Sequence, residues 1–485
     1  MLYAGIDLGT SSVKLLLCDE KGNIEKSVTK EYPLSFPSEG WAEQNPEDWY
    51  EKTFEGLKEL VDGRGAELRG LSFGGQMHGL IMLDENDNVL RPAILWNDGR
   101  SAEECSYLNN DIGRERLTEL TGNIAFPGFT APKILWVKKH EPEIFARCRK
   151  IMLPKDYLNY RLSGEFVTEP SDAAGMLLYD VKNRRWSPEM LDICGIGEEQ
   201  LPRLSSSFEK CGTLKKDLAA ELGAGEVIIA PGGGDNAAAA VGVGVVGPGK
   251  CSISVGTSGT VFMTSGEYTV DSGNALHSFA HCDGSFHLMG VVLSAAGANK
   301  WWTETVLNTG DYAAEQADIT GLGEGSVFFL PYLMGERSPH NDPDARGVFA
   351  GLSMDTTRAD MNRAVLEGVA YALRDCVEAA RRQGIELAEA CLSGGGAKSP
   401  LWQKILSNVL HMKLNIPACG EGPAYGAAML AMVAAGEYGS VAEAAQKIVK
   451  ISGSVDPCEE LAARYDRGYE RYKELYIALK GWFQK

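Results

Sequence analysis

Residues 231–260 read PGGGDNAAAAVGVGVVGPGKCSISVGTSGT. The apolar run Val227–Ala230 precedes them and gives way to Gly232-Gly233-Gly234 and then Asp235. A small-residue run from Asn236 to Val246 follows, broken by Gly247-Pro248-Gly249. The strand-like CSISV comes next and ends in Gly256-Thr257-Ser258-Gly259. A strand that ends in glycines and delivers a carboxylate aims that side chain into a cleft. A strand that runs into a Gly/Thr/Ser turn presents bare backbone N–H groups, which suit a phosphate. The two devices together predict a carboxylate facing an anion.

The N-terminus repeats the second device. Tyr3-Ala4-Gly5-Ile6-Asp7 is strand-like and runs into Gly9-Thr10-Ser11-Ser12, after which the apolar run Val13–Cys18 closes at Asp19-Glu20-Lys21-Gly22. This reads as a β-hairpin with GTSS as its turn. GTSS and GTSG thus form one motif used twice, which predicts two related domains rather than a solenoid. Two such turns facing each other would clamp the phosphates of a nucleotide. The length of 485 residues suits two domains, with the division expected near Val246–Lys250, as 1–247 and 248–485.

A net charge of -19 argues against nucleic acid and anionic membrane surfaces as principal partners. No apolar run reaches the length of a membrane span, and no signal-type segment opens the chain. The cysteine number is odd, 11, without a CxxC pair, so reduced thiols in a cytoplasmic protein are expected.

Further along, Leu68–Phe73 reads as a buried strand ending in Gly74-Gly75-Gln76-Met77-His78-Gly79, and Ala93–Trp96 delivers Asn97-Asp98-Gly99-Arg100. Polar groups on strand ends suit a small polyol or sugar, and Gln76, His78, Asn97, Asp98 and Arg100 are candidates. Asn-Asp-Gly is equally a turn tripeptide, and a lone His is often structural. Lys133, Lys155 and Asp156 read as solvated or structural rather than as cleft residues. The run Ser393-Gly394-Gly395-Gly396 between a strand and a helix admits either a nucleotide close to the backbone or tight packing. Gly422–Gly436 is a small-residue helix, and Tyr465, Tyr469, Tyr472 and Tyr476 form a packing stripe. The loop Gly335–Pro343 has the composition of a functional or inter-domain segment. There is no P-loop pattern, no Rossmann glycine fingerprint after the first strand and no GxSxG elbow.

Taken in order, GIDLGTSSVK (5–14), GQMHG (75–79), LWNDGR (95–100), GFTAPKILWVKKH (128–140), LPKDY (153–157), GGGDNAA (232–238), SVGTSG (254–259), RGVFAGLSMDTTRADMNRAVLEG (346–368) and LSGGGAKSP (392–400) resemble the FGGY family of carbohydrate kinases. The resemblance runs end to end and is strongest to members that act on D-xylulose. It implies an α/β, two-domain, actin-like and ribonuclease H-like fold with the active site in the inter-domain cleft. It implies phosphoryl transfer from ATP to a sugar with Mg²⁺, in a homodimer. Asp235 matches the catalytic base, and Asp7 the residue that positions Mg²⁺. Gly9, Thr10, Ser11, Gly256 and Thr257 match phosphate contacts, and Gly395 and Gly396 the nucleotide-side glycines. Gln76, Met77, His78, Asn97, Asp98 and Asp235 fall where the family reads the sugar. The residues alone leave room for a relative acting on ribulose, fuculose, gluconate or glycerol. They also leave room for a nucleotide-dependent regulator on the same fold, and for a sugar-binding module without turnover.

Overall fold

A computed structural model describes residues 1–483. The first sheet is built around Leu2–Leu8, whose continuous apolar character suits a strand covered on both faces. Ser12–Asp19 pairs with it antiparallel, and Ile24–Glu31 pairs antiparallel with Ser12–Asp19. On its other side Leu68–Gly75 runs parallel to it, followed by Ile228–Ile229, also parallel. Gly212–Thr213 closes that edge. In the second sheet Cys251–Val255 takes the central place. Gly259–Ser265 and then Phe286–Val292 follow antiparallel on one side, while Glu389–Ser393 and Lys413–Pro417 follow parallel on the other. His277–Ala280 and Ile451–Val455 extend its two edges. Both sheets therefore share the spatial order third, second, first, fourth, fifth, and the duplication suggested by GTSS and GTSG extends to whole sheets.

The helix Gly422–Ala434 explains its own composition. It belongs to the C-terminal half of the chain but packs on Leu2–Leu8 and Leu68–Gly75 of the first sheet and on the helix Asp235–Gly242. Glycines set these distances. A Cβ on Gly426 would lie 1.8 Å from the Ala238 carbonyl oxygen, and one on Gly5 would lie 1.8 Å from that of Ala424. The helix after Asp235 and the small-residue helix thus cross at backbone contact and tie the two halves together. A shared apolar core includes Phe129 and Ile134 from the first half with Phe262 and Met289 from the second.

The long helix Arg358–Arg382 starts at Thr357, whose hydroxyl caps it with Asp360 in reciprocal hydrogen bonding. It packs beneath the second sheet against Glu459–Phe483. The four tyrosines of that last helix are buried. Their hydroxyls pair with Glu367 (2.9 Å), Asp375 (2.5 Å), Tyr332 (3.3 Å) and Asp342 (2.8 Å), so the stripe is packing with its polar tips satisfied. All 11 cysteines are free thiols. Among the described residues no helix is long and apolar enough to cross a membrane.

Candidate active site

Three strand ends of the first sheet meet at one place. In the parallel register Asp7 lies beside Gly74 and Leu8 beside Gly75, while Gly233 and Gly234 lie beside Gly74 and Gly75. The residues that follow these strands, Gly9, Gln76 and Asp235, therefore emerge side by side at the carboxyl ends. The glycines before Asp235 are a steric requirement. Gly232 has φ +83° and no room for a Cβ, which would lie 1.9 Å from the Phe73 carbonyl oxygen. A Cβ on Gly233 would strike the Cys282 sulfur at 2.1 Å. Gly234 donates its N–H to Ser171 Oγ at 3.1 Å.

Asp235 is the first residue of the helix Asp235–Gly242. Its Oδ1 accepts from Asn236 N at 2.7 Å and Asn236 Nδ2 at 2.8 Å. Its Oδ2 accepts no hydrogen bond among the described residues, and Asp235 lines a cleft of about 730 Å³. One oxygen is thus anchored to the helix start while the other is available. The second half supplies the facing wall with Gly256, Thr257 and Ser258. Burial pushes the Asp235 carboxyl up to about 6, against the two Asn236 bonds.

The two Gly/Thr turns share a pattern of satisfaction. In the first, the Gly9 carbonyl accepts from the Tyr32 hydroxyl and from Gln76 Nε2, and the Thr10 carbonyl accepts from Gln44 Nε2 at 2.7 Å. In the second, the Gly256 carbonyl accepts from Ala296 N at 2.7 Å, and the Thr257 carbonyl from Ala295 N at 2.9 Å. The carbonyls are held back into the protein. The N–H groups of Thr10, Ser11, Gly256, Thr257 and Ser258 donate to no protein acceptor among the described residues. This is the arrangement an anion nest requires. The Gly394–Gly396 run divides its two readings between neighbours. A Cβ on Gly396 would lie 2.5 Å from Val255 Cγ1, so that glycine serves packing, whereas Gly395 is exposed with nothing within 4 Å.

Asp7 accepts no hydrogen bond from the protein among the described residues. Burial and the Asp235 charge raise it to about 7; Lys14 opposes this, but Lys14 is itself ion-paired with Glu421. A carboxylate without a dedicated counter-ion, beside a second one and two phosphate-type turns, fits a hard divalent cation held chiefly by phosphates and water.

Met77 and His78 line the cleft. His78 sits at φ +69° and stacks on Phe129 with ring centroids 4.6 Å apart. Its Nδ1 lies 2.7 Å from the Gly175 carbonyl oxygen, which fixes the Nδ1–H tautomer and leaves Nε2 as an acceptor. Burial lowers His78 to about 3, so the ring is neutral. Its carbonyl accepts from Lys133 Nζ (2.9 Å) and from Thr130 Oγ1 (3.1 Å). Lys133 also donates to the Gly128 carbonyl at 2.7 Å, clamping the cleft loop to His78.

Several expectations need correction. Lys133, Lys155 and Asp156 are buried, so of the two readings, solvated or structural, it is the structural one that the fold takes. Lys155 lies among Asp156 (2.6 Å), Asp172 (3.4 Å) and Glu169 (3.6 Å). Glu169 in turn holds Ser171, which holds the Gly234 N–H, so this cluster supports the loop that presents Asp235. Asp98 is buried and is not among the residues that line the cleft. Its oxygens accept from Ala42 N (2.6 Å), Arg100 N (2.9 Å) and Arg100 Nη2 (2.7 Å) in a buried pair that also includes Glu43. Asn97 is exposed and outside the cleft wall. Gln76 is buried, and its Nε2 donates to the Gly9 carbonyl and to Gln44 Oε1 at the first turn, while its Oε1 has no partner among the described residues. In the stretch 95–100 the residue that lines the cleft is Trp96, whose Nε1 donates to Thr10 Oγ1 at 3.0 Å. It lies two residues past the strand Ala93–Ile94 and is 45 % exposed. Arg337, also in the cleft wall, lay within a loop recognisable only by composition.

Residues 2–242 match the N-terminal domain, and residues 251–435 the C-terminal domain, of the FGGY family of carbohydrate kinases. The chain belongs to that family. It is 42% identical to a xylulose kinase from Escherichia coli strain K12 over 99% of each chain. Among solved structures, this carbohydrate kinase is similar to a "xyloylose kinase" from Brucella ovis, with 41% identity, TM-score 0.95 and coverage of 99% of this chain and 100% of that one. A gluconate kinase from Lactobacillus acidophilus shares the architecture at 27% identity, with TM-score 0.93 and coverage of 99% and 98%. The two-domain α/β architecture is that of actin-like kinases, and ATP is the phosphoryl donor that the family implies.

Proposed function

We propose that this kinase transfers the γ-phosphoryl group of ATP to the terminal hydroxyl of D-xylulose, giving D-xylulose 5-phosphate and ADP. The observation that carries phosphoryl transfer is the free carboxylate oxygen of Asp235 across the cleft from the unpaired N–H groups of Gly256–Ser258. The choice of sugar rests on xylulose kinase relatives that are 36–43% identical over most of their length.

In this reading Asp235 Oδ2 receives the proton of the attacking hydroxyl, and Asn236 keeps Oδ1 fixed during the transfer. A base held near 6 is ionised at neutral pH yet basic enough to accept a proton. The N–H groups of Thr10, Ser11, Gly256 and Thr257 hold phosphate oxygens, and Gly395 leaves room for the nucleotide beside the second sheet. Asp7 would hold Mg²⁺ through water, and Mg²⁺ when bound neutralises charge on the phosphates. Met77 and His78 hold the sugar, with His78 Nε2 accepting from a hydroxyl. Catalysis is positioning plus charge neutralisation, so the clamps on these groups matter as much as the groups themselves. The same proposal places the functional division at 247/248 and the working form as a cytoplasmic homodimer, which sedimentation of the purified protein tests.

The direct test is ADP release with Mg-ATP across D-xylulose, D-ribulose, L-ribulose, glycerol and gluconate. A dominant kcat/KM for D-xylulose is expected. Preference for gluconate or glycerol would overturn the choice of sugar, and absence of sugar-stimulated ADP release would overturn phosphoryl transfer.

A further inference from the structure

Arg337, half-buried in the cleft wall, differs from the other inward-facing arginines. Arg91 is paired with Glu43 and Glu141, Arg100 with Asp98 and Glu43, and Arg374 with Asp466. The Arg337 guanidinium makes no ion pair and no side-chain hydrogen bond among the described residues, and its Nε is buried without a partner. The adjacent Glu336 makes no ion pair or hydrogen bond with the guanidinium; its Oε2 accepts from His340 N at 3.0 Å and its Oε1 is buried without a partner. A buried unsatisfied donor on a cation costs stability unless a ligand completes it.

The loop is firmly held. Glu336 and Asp342 exchange backbone hydrogen bonds of 2.8 and 2.9 Å. Ser338 pairs with Val291 of the second sheet through its N–H (3.1 Å) and accepts from the Val291 N–H at its Oγ (3.0 Å). From this anchor in the second half, Arg337 reaches the first half and lies 4.3 Å over the Phe126 ring. It shares the cleft wall with Met77, His78 and Asp235. Its charge is felt by His78 and His277. Arg337 also lies 5.9 Å from the Phe129 ring, on which His78 stacks, and so stands at the His78 end of the cleft.

We propose that Arg337 is a specificity-determining contact that donates to the carbonyl oxygen of a ketose acceptor, at the end of the sugar remote from Asp235. This inference rests on the sugar-kinase reading above. The chemistry divides as follows. His78 Nε2 can only accept, and so takes a hydroxyl proton. A guanidinium can only donate, and a carbonyl oxygen meets its planar fork with both lone pairs in one plane, whereas a hydroxyl oxygen also accepts but must place its own proton elsewhere. A ketone offers that oxygen, whereas the corresponding alditol replaces it with a hydroxyl. Because Arg337 is anchored to the second sheet and His78 to the first, a ketose satisfying both bridges the two halves.

The test uses the full-length protein with Arg337→Met, which keeps the stem over Phe126, and Arg337→Lys, which keeps the charge without the fork. Steady-state kinetics are measured for D-xylulose, for the alditol formed by reducing its carbonyl, and for Mg-ATP, with calorimetric D-xylulose binding alongside. Loss of a hydrogen bond to a charged donor predicts a KM for D-xylulose raised about 10–100-fold in Arg337→Met. The KM for Mg-ATP should stay within about 2-fold, with Arg337→Lys intermediate, and the preference for ketose over alditol should collapse. Unchanged D-xylulose affinity, equal losses for ketose and alditol, or an effect confined to Mg-ATP would each overturn the inference. The two readings fail separately. Wild-type protein that binds D-xylulose without turnover, with Arg337→Met losing that binding, would remove the kinase reading and keep this one. Normal D-xylulose turnover with an unaltered dissociation constant in Arg337→Met would do the reverse.

Discussion

Replacing Asp235 by Asn separates its chemical role from its structural one. The Asn236 N–H and Nδ2 that now hold Oδ1 at 2.7 and 2.8 Å can hold an amide oxygen equally well, so the helix start should survive. The variant cannot take a proton. A positioned general base contributes about 10²–10⁴ in rate, and kcat should fall by that factor. Stability should move the other way. Burial raises the carboxyl from its ordinary 3.8 to about 6, and at about 1.4 kcal/mol per unit the ionised form costs the fold about 3 kcal/mol. A raised folded-state value means that the stabilising contribution is fully present below 3.8 and is lost as pH rises through 6. At pH 8 the wild type bears the full cost and the amide none. Asp235→Asn should therefore resist urea better at pH 8 by up to about 3 kcal/mol, with the advantage fading toward pH 4. Coupled ADP release and urea melts at the two pH values measure both effects. Wild-type kcat/KM should also fall below about pH 6 as the base is protonated. A variant within 10-fold of wild-type turnover, or one less stable than wild type at pH 8, would refute the reasoning and leave Asp235 as a helix cap.

Two other substitutions probe the frame around it. Asp7→Asn should raise the Mg²⁺ concentration for half-maximal rate by about 10–100-fold without altering the sugar KM, as expected for a ligand acting through water; a Mg²⁺ titration unchanged from wild type would remove Asp7 from the metal's surroundings. Gly426→Ala would place a methyl group 1.8 Å from the Ala238 carbonyl oxygen, and the forced separation of the two crossing helices should cost about 1–3 kcal/mol or more in urea unfolding. Undiminished stability there would mean that the crossing can open freely.

The features that were legible in the sequence are local ones. GTSS and GTSG sit on tight hairpin turns, and a turn's backbone geometry is set by the few residues within it. The glycines before Asp235 were readable for the same reason, since a strand end without side chains leaves few alternatives. What escaped depends on partners far away in the chain. Asp98 looked like a free strand-end carboxylate, yet it is consumed by Arg100 and by Ala42 N, 56 residues distant. Lys133 and Lys155 read as either solvated or structural, because lysine is usually solvated, and only the folded chain, which brings His78 and Asp172 to them, decides between the two. The small-residue helix was visible, but its destination against the first sheet was not, because composition records how closely a helix packs and not what it packs upon.

Phosphorylation at a defined carbon is the central claim, and ³¹P NMR of the product made from D-xylulose and Mg-ATP tests it most directly. The account predicts a single phosphomonoester on the terminal carbon, formed in step with ADP and absent with Asp235→Asn. ADP formed together with inorganic phosphate and no sugar phosphoester, or a phosphoester at the carbonyl end of the sugar, would contradict it.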